Sequence, residues 1–291
     1  MRKISLFLFI IILLGCGSTT SYQPPEEETE INGFSSNETL EVMTWNLEHF
    51  AKNGSITVDY VAEILDSLDV DIIALQEIES SAKFNQLNEA LVDWEGYRST
   101  GAAYDINLAF LYRTDLQPQF YQILTSEWYY LPRSPLVMEV NFQGENLVII
   151  NNHLKALSGS ENEERRRGGC ERLDAYIETH FSNDKVILVG DLNDQLTDEA
   201  ESNVFSVFLD DPENYLFTDL EIELSGHENF SYPSYPSHLD HILISNELFA
   251  DYEHEKSDVQ TMQVDDFFSN WNQYDENVSD HLPVAIKLFF E

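Results

Sequence analysis

The chain has 291 residues and carries 15 Lys and Arg against 53 Asp and Glu, which gives a formal net charge of −38. A surface this acidic repels polyanions at long range and argues against tight, non-specific nucleic-acid binding through a broad basic face. A nucleic-acid substrate held by metal ions and a few local cations is still compatible with this composition.

The amino terminus has the pattern of an export signal. It joins a basic start, Arg2 and Lys3, to an apolar run that ends in the sequence LLGC, and this favours a cleaved signal over a spanning helix. The cysteine after Leu-Leu-Gly resembles the bacterial lipoprotein signal, which implies that residues 1–15 are removed and that Cys16 is lipidated. An ordinary secretory signal with an incidental cysteine is the alternative. We therefore expect a lipoprotein of the cell envelope or cell surface, with the lipid anchor as its only membrane contact.

The next segment lacks the residues of a folded core. Residues 17–40 are polar and acidic and contain Pro, so residues 16–40 are predicted to form a flexible tether that begins at the lipidated Cys16. Residues 41–291 are then the folded part, which fits one α/β domain because no second linker or repeat divides it. The only other cysteine is Cys170, so no intrachain disulfide is expected, and nothing indicates an obligate partner.

Several short apolar runs stop abruptly in polar residues. Their length and their Val and Ile content predict strands that are buried on both faces. In chain order these runs are residues 41–46, 70–77, 146–153, 185–194 and 239–245.

Helical and hairpin patterns lie between these predicted strands. Residues 135–153 predict a β-hairpin with its turn at 143–145. This mixed order favours stacked sheets with helices outside over a purely parallel, doubly wound sheet. Apolar stripes at helical spacing are formed by Val61, Ile64, Leu65 and Leu68, and by Cys170, Leu173 and Ile177.

Polar side chains at the strand ends are the candidate site. Ligands of α/β sheets gather where strands end and loops begin. Each such residue alone is more readily explained as a helix cap or turn residue. As a set, they supply oxygen ligands from separate strands and two histidines, which suits a hard divalent cation and acid–base chemistry. The set is Asn46, Glu77, His153, Asp191, Asn193, Asp240, Asp280 and His281.

Seven motifs in this order resemble the endonuclease/exonuclease/phosphatase superfamily, which has the deoxyribonuclease I-like fold. They are MTWNLEHF, IIALQEIES, NLAFLYR, INNHLKA, VGDLND, SHLDHIL and SDHLPV, and they span essentially all of residues 41–291. The resemblance implies an α/β fold, a four-layered α-β-β-α sandwich of two mixed sheets face to face with helices outside. It also implies hydrolysis of phosphoester bonds in nucleic acids, phospholipids, inositol phosphates or nucleotides.

The resemblance further implies a metal site. Glu77 matches the principal metal ligand, Asn46 lies beside it, and Asp280 lies next to the metal. The implied ion is Mg²⁺, with Mn²⁺ or Ca²⁺ as alternatives. Carboxylates supply the hard oxygens that Mg²⁺ prefers, and few protein ligands are needed because substrate and water complete the coordination.

Catalytic roles follow from the same resemblance. Asp191 and Asn193 match the pair that orients the attacking water and the phosphate. His281 matches the catalytic histidine near the carboxyl end, and Asp240 matches its carboxylate partner. His153 matches a second histidine that contacts the scissile phosphate or the leaving group. The sequence leaves open whether His281 acts as an imidazolium or as a general base.

Three further residues are candidates for substrate binding. Asn107 lies near positions that support His153 or the substrate, a role that neighbouring Asp105 or Tyr104 is also placed to fill. Arg165 and Arg166 belong to a basic cluster in which arginine forks suit phosphate oxygens. Helical ion pairs with the glutamates at 161, 163 and 164 are the equally weighted alternative for these arginines.

Aromatic and histidine residues around Asp240 have competing interpretations. Tyr232 and Tyr235 are placed to stack on a base or cover a lipid chain, but a rigid turn that packs on the sheet is favoured. His238 and His241 flank Asp240, so in a strand they point away from it and are predicted to be structural.

The leading hypothesis is a metal-dependent phosphoester hydrolase, and a phosphodiesterase or nuclease is the first choice because His153 lies in a deoxyribonuclease-like motif. Hydrolysis of a phospholipid, of sphingomyelin or of a sugar or inositol phosphate is the alternative, favoured by membrane anchoring and the scarcity of positive charge. A non-catalytic binding lipoprotein that has kept the fold is the contrasting class, and it predicts damaged motifs.

Overall fold

The structure, a computed structural model, describes residues 34–123 and 128–290. The strands are β1 (Thr39–Phe50), β2 (Ile72–Ile78), β3 (Trp94–Arg98), β4 (Asn107–Arg113), β5 (Gln119–Gln122), β6 (Leu136–Phe142), β7 (Glu145–His153), β8 (Lys185–Asp191), β9 (Tyr215–Phe217), β10 (Asp240–Ser245), β11 (Asp258–Thr261) and β12 (Val284–Phe289). The helices are α1 (Ser55–Leu68), α2 (Ser81–Ala90), α3 (Ser160–His180), α4 (Ser206–Leu209), α5 (Leu220–Ser225), α6 (Phe249–Tyr252) and α7 (Trp271–Asn277). Short 3-10 helices lie at Ala103–Asp105, His227–Asn229, Asn246–Leu248 and Val264–Phe267.

The strands form two six-stranded mixed sheets. Their orders are β11-β12-β1-β2-β4-β3 and β5-β6-β7-β8-β10-β9. Each sheet has one parallel pair, β1 with β2 and β7 with β8, and its other neighbouring strands are antiparallel. Each parallel pair brings the carboxyl ends of two strands together, and contact between Asn46 of β1 and Asp191 of β8 joins the two sets of ends, where a site is expected.

Apolar residues from both sheets pack into one core between them, which explains why the central strands are apolar along both faces. The outer face of the first sheet packs against α1, α2 and α7, and the outer face of the second packs against α3 and α4. The predicted four-layered sandwich is therefore confirmed.

The local elements also follow the sequence patterns. The stripe at 61–68 lies in α1 and the stripe at 170–177 lies in α3, and both are buried. In the predicted hairpin, Phe142 pairs with Glu145 across a two-residue turn. Gln143 and Gly144 in that turn have φ of 52° and 99°, as a tight hairpin with right-handed strand twist requires.

Ordered structure begins before the predicted boundary at residue 41. Phe34 is buried in the core at 3% exposure, the Ser36 amide donates to Glu41 Oε1, and β1 starts at Thr39. The boundary was placed too late because Ser, Asn and Glu around this segment give it a polar composition. The predicted signal at 1–15, Cys16 and the first part of the tether lie outside the described residues. Within residues 34–123 and 128–290, no helix combines the length and hydropathy needed to cross a bilayer.

Candidate active site

The ends of five strands bring the predicted site residues together. Asn46 and Glu77 lie near the ends of β1 and β2 in the first sheet. His153 and Asp191 are the last residues of β7 and β8 and are paired in register. Asp240, the first residue of β10, pairs with Asp191 from the other side. Strand pairing alone therefore places Asp191 at the centre of the group.

Asp191 is a buried carboxylate with several polar neighbours. It is 2% exposed, and its Oδ2 atom accepts a hydrogen bond of 2.8 Å from Asn46 Nδ2. The same oxygen lies 3.4 Å from His153 Nε2 and 4.0 Å from His281 Nε2. Burial raises the pKa of Asp191 to about 7; His281 opposes this rise and nearby carboxylates add to it. Negative charge at this point is therefore only partly compensated by the protein.

His281 and Asp240 form a buried imidazole–carboxylate pair. The distance from His281 Nδ1 to Asp240 Oδ2 is 2.7 Å. Burial opposes the charged ring, but Asp240, Asp191 and Asp280 together raise the pKa of His281 to about 10. His281 is therefore an imidazolium at neutral pH, with Nδ1 fixed on Asp240 and Nε2 directed towards Asp191.

Two serines hold the segments that carry this pair. Ser279 Oγ donates to the Asn46 carbonyl at 2.6 Å and accepts from the His281 amide at 3.0 Å. Ser231 Oγ accepts from the Asp240 amide at 3.1 Å. The centroid of the Tyr232 ring lies 4.9 Å from that of the His281 ring, so Tyr232 packs against this histidine.

His153 differs from His281 in charge. It is 1% exposed, and burial, followed by repulsion from Arg133 and His281, holds its pKa well below the usual value of 6.5. Its Nδ1 atom is buried without a hydrogen-bond partner among the described residues. The site thus contains one neutral and one charged histidine on either side of Asp191.

Glu77 is held in an uncommon backbone conformation. Its φ is 60°, at a register shift between Leu75 and Ile78 in the β2–β4 pairing. Such a conformation costs about 1–3 kcal/mol in a non-glycine residue and is often found at functional sites. The His49 amide donates to Glu77 Oε2 at 3.0 Å, while Oε1 lies 3.9 Å from His153 Nε2.

The end of β8 requires glycine at position 190. Gly190 has φ of 150°, and a Cβ there would lie 1.8 Å from the Asn152 carbonyl oxygen, so only glycine fits. Asn193 adopts a left-handed conformation with φ of 57°, which Asn tolerates well. Its amide donates to Asp191 Oδ1 at 3.0 Å, and its Nδ2 atom lies 3.4 Å from the Leu154 carbonyl.

The donor set at the strand ends fits a hard divalent cation. Glu77 offers a partly exposed carboxylate, 16% exposed at the side chain. A cation beside Asp191 would favour its charged form and so oppose the burial that raises its pKa. Asn46 presents Nδ2 to both carboxylates, while its Oδ1 accepts from the Glu48 amide. Asp280 lies beside the His281–Asp240 pair, and its Oδ1 atom is 3.8 Å from His281 Nε2.

A second group of possible ligand atoms lies elsewhere in the described chain. Atoms of Asp219, His238 and His241 are within 4.8 Å of one another, and all three residues are buried. The two histidines flank Asp240 along the chain, but Asp219 follows β9. This cluster is therefore separate from the strand ends that carry Glu77.

The predicted substrate arginines make contacts within the protein. Arg166 is 3% exposed; its Nε atom pairs with Asp194 Oδ2 at 2.8 Å and its Nη1 atom donates to the Lys155 and Leu157 carbonyls. Arg165 donates to the Tyr129 carbonyl at 2.7 Å and stacks on the Tyr129 ring. Arg166 therefore fixes the loop after His153.

Asp194 and Asn107 also make contacts that the sequence does not indicate. Asp194, a partly buried residue of the loop after β8, is the carboxylate partner of the buried Arg166. Asn107 is paired with Ile78 next to Glu77, yet its amide donates to Asp105 rather than to His153. The 3-10 turn brings Asp105 back over Asn107, which local sequence does not reveal.

Sequence analysis missed two polar residues at the site, the half-buried Arg133 and the buried Asn151. Arg133 precedes β6 and donates to the Leu154 carbonyl at 3.1 Å; burial lowers its pKa, whereas Glu77 and Asp191 oppose that change. Arg133 is thus a second cation near these carboxylates, besides His281. A basic residue just before a predicted strand of an acidic chain was the only available signal.

Asn151 joins the two sheets beneath the site. Its Nδ2 atom donates to the Leu75 and Ala109 carbonyls at 3.0 and 2.9 Å. Its Oδ1 atom accepts from Gln76 Nε2 at 2.9 Å. This fully buried amide therefore sets the strand that ends in His153 against the strand that carries Glu77.

With this geometry established, comparison with known proteins decides the family. A sequence profile described as "Endonuclease/Exonuclease/phosphatase family" matches residues 43–281. The chain belongs to this family. The superfamily predicted from the motifs is thereby confirmed, and the chain is a phosphoester hydrolase by family. No curated protein sequence matches it significantly.

Solved structures with the same fold are distant in sequence. D. rerio TDP2 complexed with a single-strand DNA product shares 16% identity over 87% of this chain and 100% of its own, with a TM-score of 0.64. A mannosyl-6-phosphatase of Bacteroides thetaiotaomicron shares 16% identity over 86% and 100%, with a TM-score of 0.61. The human Nocturnin catalytic domain shares 17% identity over 87% and 95%, with a TM-score of 0.60. At this identity the likeness establishes the fold alone.

Proposed function

We propose that this phosphoester hydrolase is a divalent-metal-dependent phosphodiesterase of the cell envelope, with nuclease activity as the first choice. One observation carries the proposal. The His281 imidazolium, paired with Asp240, lies 4.0 Å from the carboxylate of Asp191. The Asn46 amide contacts both Asp191 and the Glu77 carboxylate. A phosphate bound beside these groups would meet a cation, a proton acceptor and a metal ligand.

The chain's own residues divide the chemistry. Asp191, with its pKa raised to about 7, is suited to accept a proton from the attacking water. His281 holds its proton and donates a charge-assisted hydrogen bond to a phosphate oxygen. His153 is neutral and directs Nε2 to the same space. A divalent ion held by Glu77 would neutralise charge on the phosphate and orient its oxygens.

Positive charge near the site is concentrated on one side. Lys155 lies near Arg133, Arg165 and Arg166. Burial is the largest cause that lowers the pKa of Lys155, and repulsion from these three arginines lowers it further. In so acidic a chain, this local cluster favours anionic substrates that reach the site from that side. It supports a phosphodiester flanked by further phosphate, as in a nucleic acid. The TDP2 structure with a single-strand DNA product supports the same choice.

A sugar-phosphate substrate is the second candidate. Its support is the overall charge of −38, which disfavours long polyanions, together with the likeness to a mannosyl-6-phosphatase. Phospholipid and inositol phosphate substrates belong to the same alternative. Relative rates on a diester and a monoester separate the two candidates.

The proposed location rests on the amino-terminal pattern. The LLGC sequence supports lipidation of Cys16 and anchoring in the envelope. Metabolic labelling with a fatty acid and fractionation of cells test this point. Cys16→Ser should abolish labelling and release the protein from membranes, whereas labelling that persists in this variant contradicts the proposed anchor.

The activity test uses the full chain purified in detergent with Mg²⁺, Mn²⁺ or EDTA. Substrates are plasmid DNA, RNA, sphingomyelin, mannose 6-phosphate, inositol phosphates and bis-p-nitrophenyl phosphate. We expect metal-dependent cleavage of nucleic acid and of the diester, lost in His281→Ala. His180→Ala, at an exposed histidine at the end of α3, is the matched control and should keep full activity. Turnover unchanged in His281→Ala contradicts the proposal.

A further inference from the structure

A buried histidine outside the catalytic group holds the loop that carries Asp191 and Asn193. His241 is the second residue of β10 and pairs in register with Gly190. Strand alternation directs its side chain to the opposite face from Asp240, where its ring meets Phe205 and Phe217 at 5.5 and 5.9 Å. It is completely buried and takes no part in the proposed chemistry.

Both ring nitrogens of His241 meet acceptors. Nδ1 lies 2.6 Å from Asp219 Oδ2, and Nε2 lies 2.8 Å from the Asp194 carbonyl oxygen. A carbonyl and a carboxylate only accept hydrogen bonds, so each nitrogen carries a proton and the ring is an imidazolium. Asp219 balances this charge, and burial of a charge pair is tolerated when it is hydrogen-bonded in this way.

Asp219 is itself fixed by the strand that carries His241. Its Oδ1 atom accepts from the Ile242 amide at 2.8 Å, and its Oδ2 atom lies 3.2 Å from His238 Nε2. Burial alone would raise the pKa of Asp219, but the two histidines hold it below its usual value. The Asp219 carboxylate is therefore a fixed anion. It holds one side of the His241 ring, and the other side of the ring contacts the loop.

His238 is the third buried side chain of this cluster. The Ser231 amide donates to His238 Nδ1 at 3.2 Å, and His238 Nε2 faces Asp219.

The contact with His241 is one of three that fix residues 192–194 of the loop. The Leu192 amide donates to the Leu239 carbonyl at 2.8 Å, and the Asp194 side chain pairs with Arg166 at 2.8 Å. Between these points, the backbone of Asn193 is in a left-handed conformation. His241 binds the carbonyl immediately after Asn193, where the loop leaves the site.

We infer that His241, charged and fixed by Asp219, is a positioning residue that sets the 191–195 loop through the Asp194 carbonyl. Its contribution is to the placement of Asp191 and Asn193, not to contact with substrate. The kinetic consequence rests on the proposed phosphodiesterase function, because it requires a reaction at Asp191. The structural consequence, a local loss of order at 191–195, does not.

The test compares His241→Phe and His241→Gln with the matched control His238→Gln. Phe keeps an aromatic ring against its neighbours and removes both hydrogen bonds, whereas Gln keeps one donor. His238 touches the same Asp219 in the same buried cluster, and its described contacts do not include the loop. The readouts, on the full chain in detergent, are kcat and KM on bis-p-nitrophenyl phosphate and hydrogen exchange of residues 191–195.

We expect kcat of His241→Phe to fall by about tenfold to 100-fold with KM little changed, the effect of misplacing a reacting group by ~1 Å. Amide exchange at 191–195 should accelerate in the same variant. His241→Gln should lie between the wild type and His241→Phe, and His238→Gln should match the wild type in the exchange of residues 191–195. Should His241→Phe not fold, the comparison of the two Gln variants decides.

Wild-type kcat and exchange in both His241 variants would overturn the inference. Equal loosening of the loop in His238→Gln would overturn it as well, because the effect would then belong to the cluster in general. If no substrate is cleaved by the wild type, the proposed function fails, while the exchange at 191–195 still decides the role of His241.

Discussion

Replacing Asp240 by Asn tests how the site controls the charge of His281, the histidine proposed to bind the phosphate. Asp240 Oδ2 lies 2.7 Å from His281 Nδ1, and Asp240 is the largest of the carboxylate influences that raise the pKa of His281. The rise from 6.5 to about 10 corresponds to about 5 kcal/mol in favour of the imidazolium. Asn keeps the shape of the side chain and removes its charge, so most of this stabilisation is lost.

The sign of the effect follows from the raised pKa. In the wild type, His281 keeps its proton until the pH approaches about 10, so kcat/KM should stay high through pH 9. In Asp240→Asn the pKa of His281 falls, and the alkaline decline of kcat/KM moves to lower pH. At neutral pH we expect kcat to fall by about 10²–10⁴, the usual contribution of a positioned acid or base.

The assay is the pH profile of kcat/KM on bis-p-nitrophenyl phosphate between pH 6 and 10, with saturating Mg²⁺. Asp258→Asn, at an exposed aspartate that begins β11, is the control for loss of one negative charge and should reproduce the wild-type profile. An Asp240→Asn enzyme with wild-type kcat and an unmoved alkaline limb would refute the assigned pairing.

Three further predictions concern stability and are measured by urea denaturation. Asn151→Ala removes a donor from two buried carbonyls, whereas the Gln76 amide keeps Thr44 and the Ala74 carbonyl as acceptors. We expect a loss of about 2–4 kcal/mol, since each unpaired group costs ~1–3 kcal/mol; a loss below 1 kcal/mol would contradict the role of this residue between the sheets. Asp194→Ala removes the carboxylate partner of the buried Arg166 guanidinium, and we expect the free energy of unfolding to fall by about 3–5 kcal/mol. Asp210→Ala, at an exposed position, should change the free energy of unfolding little. For His241, whose pKa rises on folding from 6.5 to about 9, the added stability is complete below pH 6.5 and declines as the pH rises through about 9. The difference in unfolding free energy between wild type and His241→Phe should therefore shrink from pH 7 to pH 10, and a constant difference would argue against a charged His241.

The sequence was most informative about the central strands and the residues at their ends. The apolar runs at 146–153 and 185–194 correspond to β7 and β8, because strands buried on both faces must be apolar along their whole length. The polar residues that end such runs are conspicuous, so His153 and Asp191 were found as candidates. Parallel pairing of the two strands then places these residues side by side.

The short edge strands escaped prediction. β5 and β11 have four residues each, and β9 has three. Their residues are only partly apolar because an edge strand buries less of its surface, so hydrophobic periodicity is too weak to identify them. The start of β1 at Thr39 was missed for a similar reason, since a polar segment there pairs with the apolar end of β12.

The supporting contacts of the site depend on long-range packing. Asn151 is in a predicted strand, but its partners are carbonyls of β2 and β4. Arg133 and His241 act on loops that are distant in sequence. For Arg166, substrate binding and ion pairs with nearby glutamates were equally weighted, because local sequence shows only charge, whereas its partner Asp194 lies 28 residues away. Local patterns carry no information about such pairs.

The proposed phosphodiester hydrolysis requires a divalent ion held by Glu77. The most direct measurement is a Mg²⁺ titration of bis-p-nitrophenyl phosphate hydrolysis by the full chain and by Glu77→Gln after treatment with EDTA. Saturable recovery of the wild type, and a Glu77→Gln enzyme about 10²-fold slower that needs more Mg²⁺, are the expected results. Hydrolysis that resists EDTA, or a Glu77→Gln enzyme with the wild-type titration, would contradict the claim.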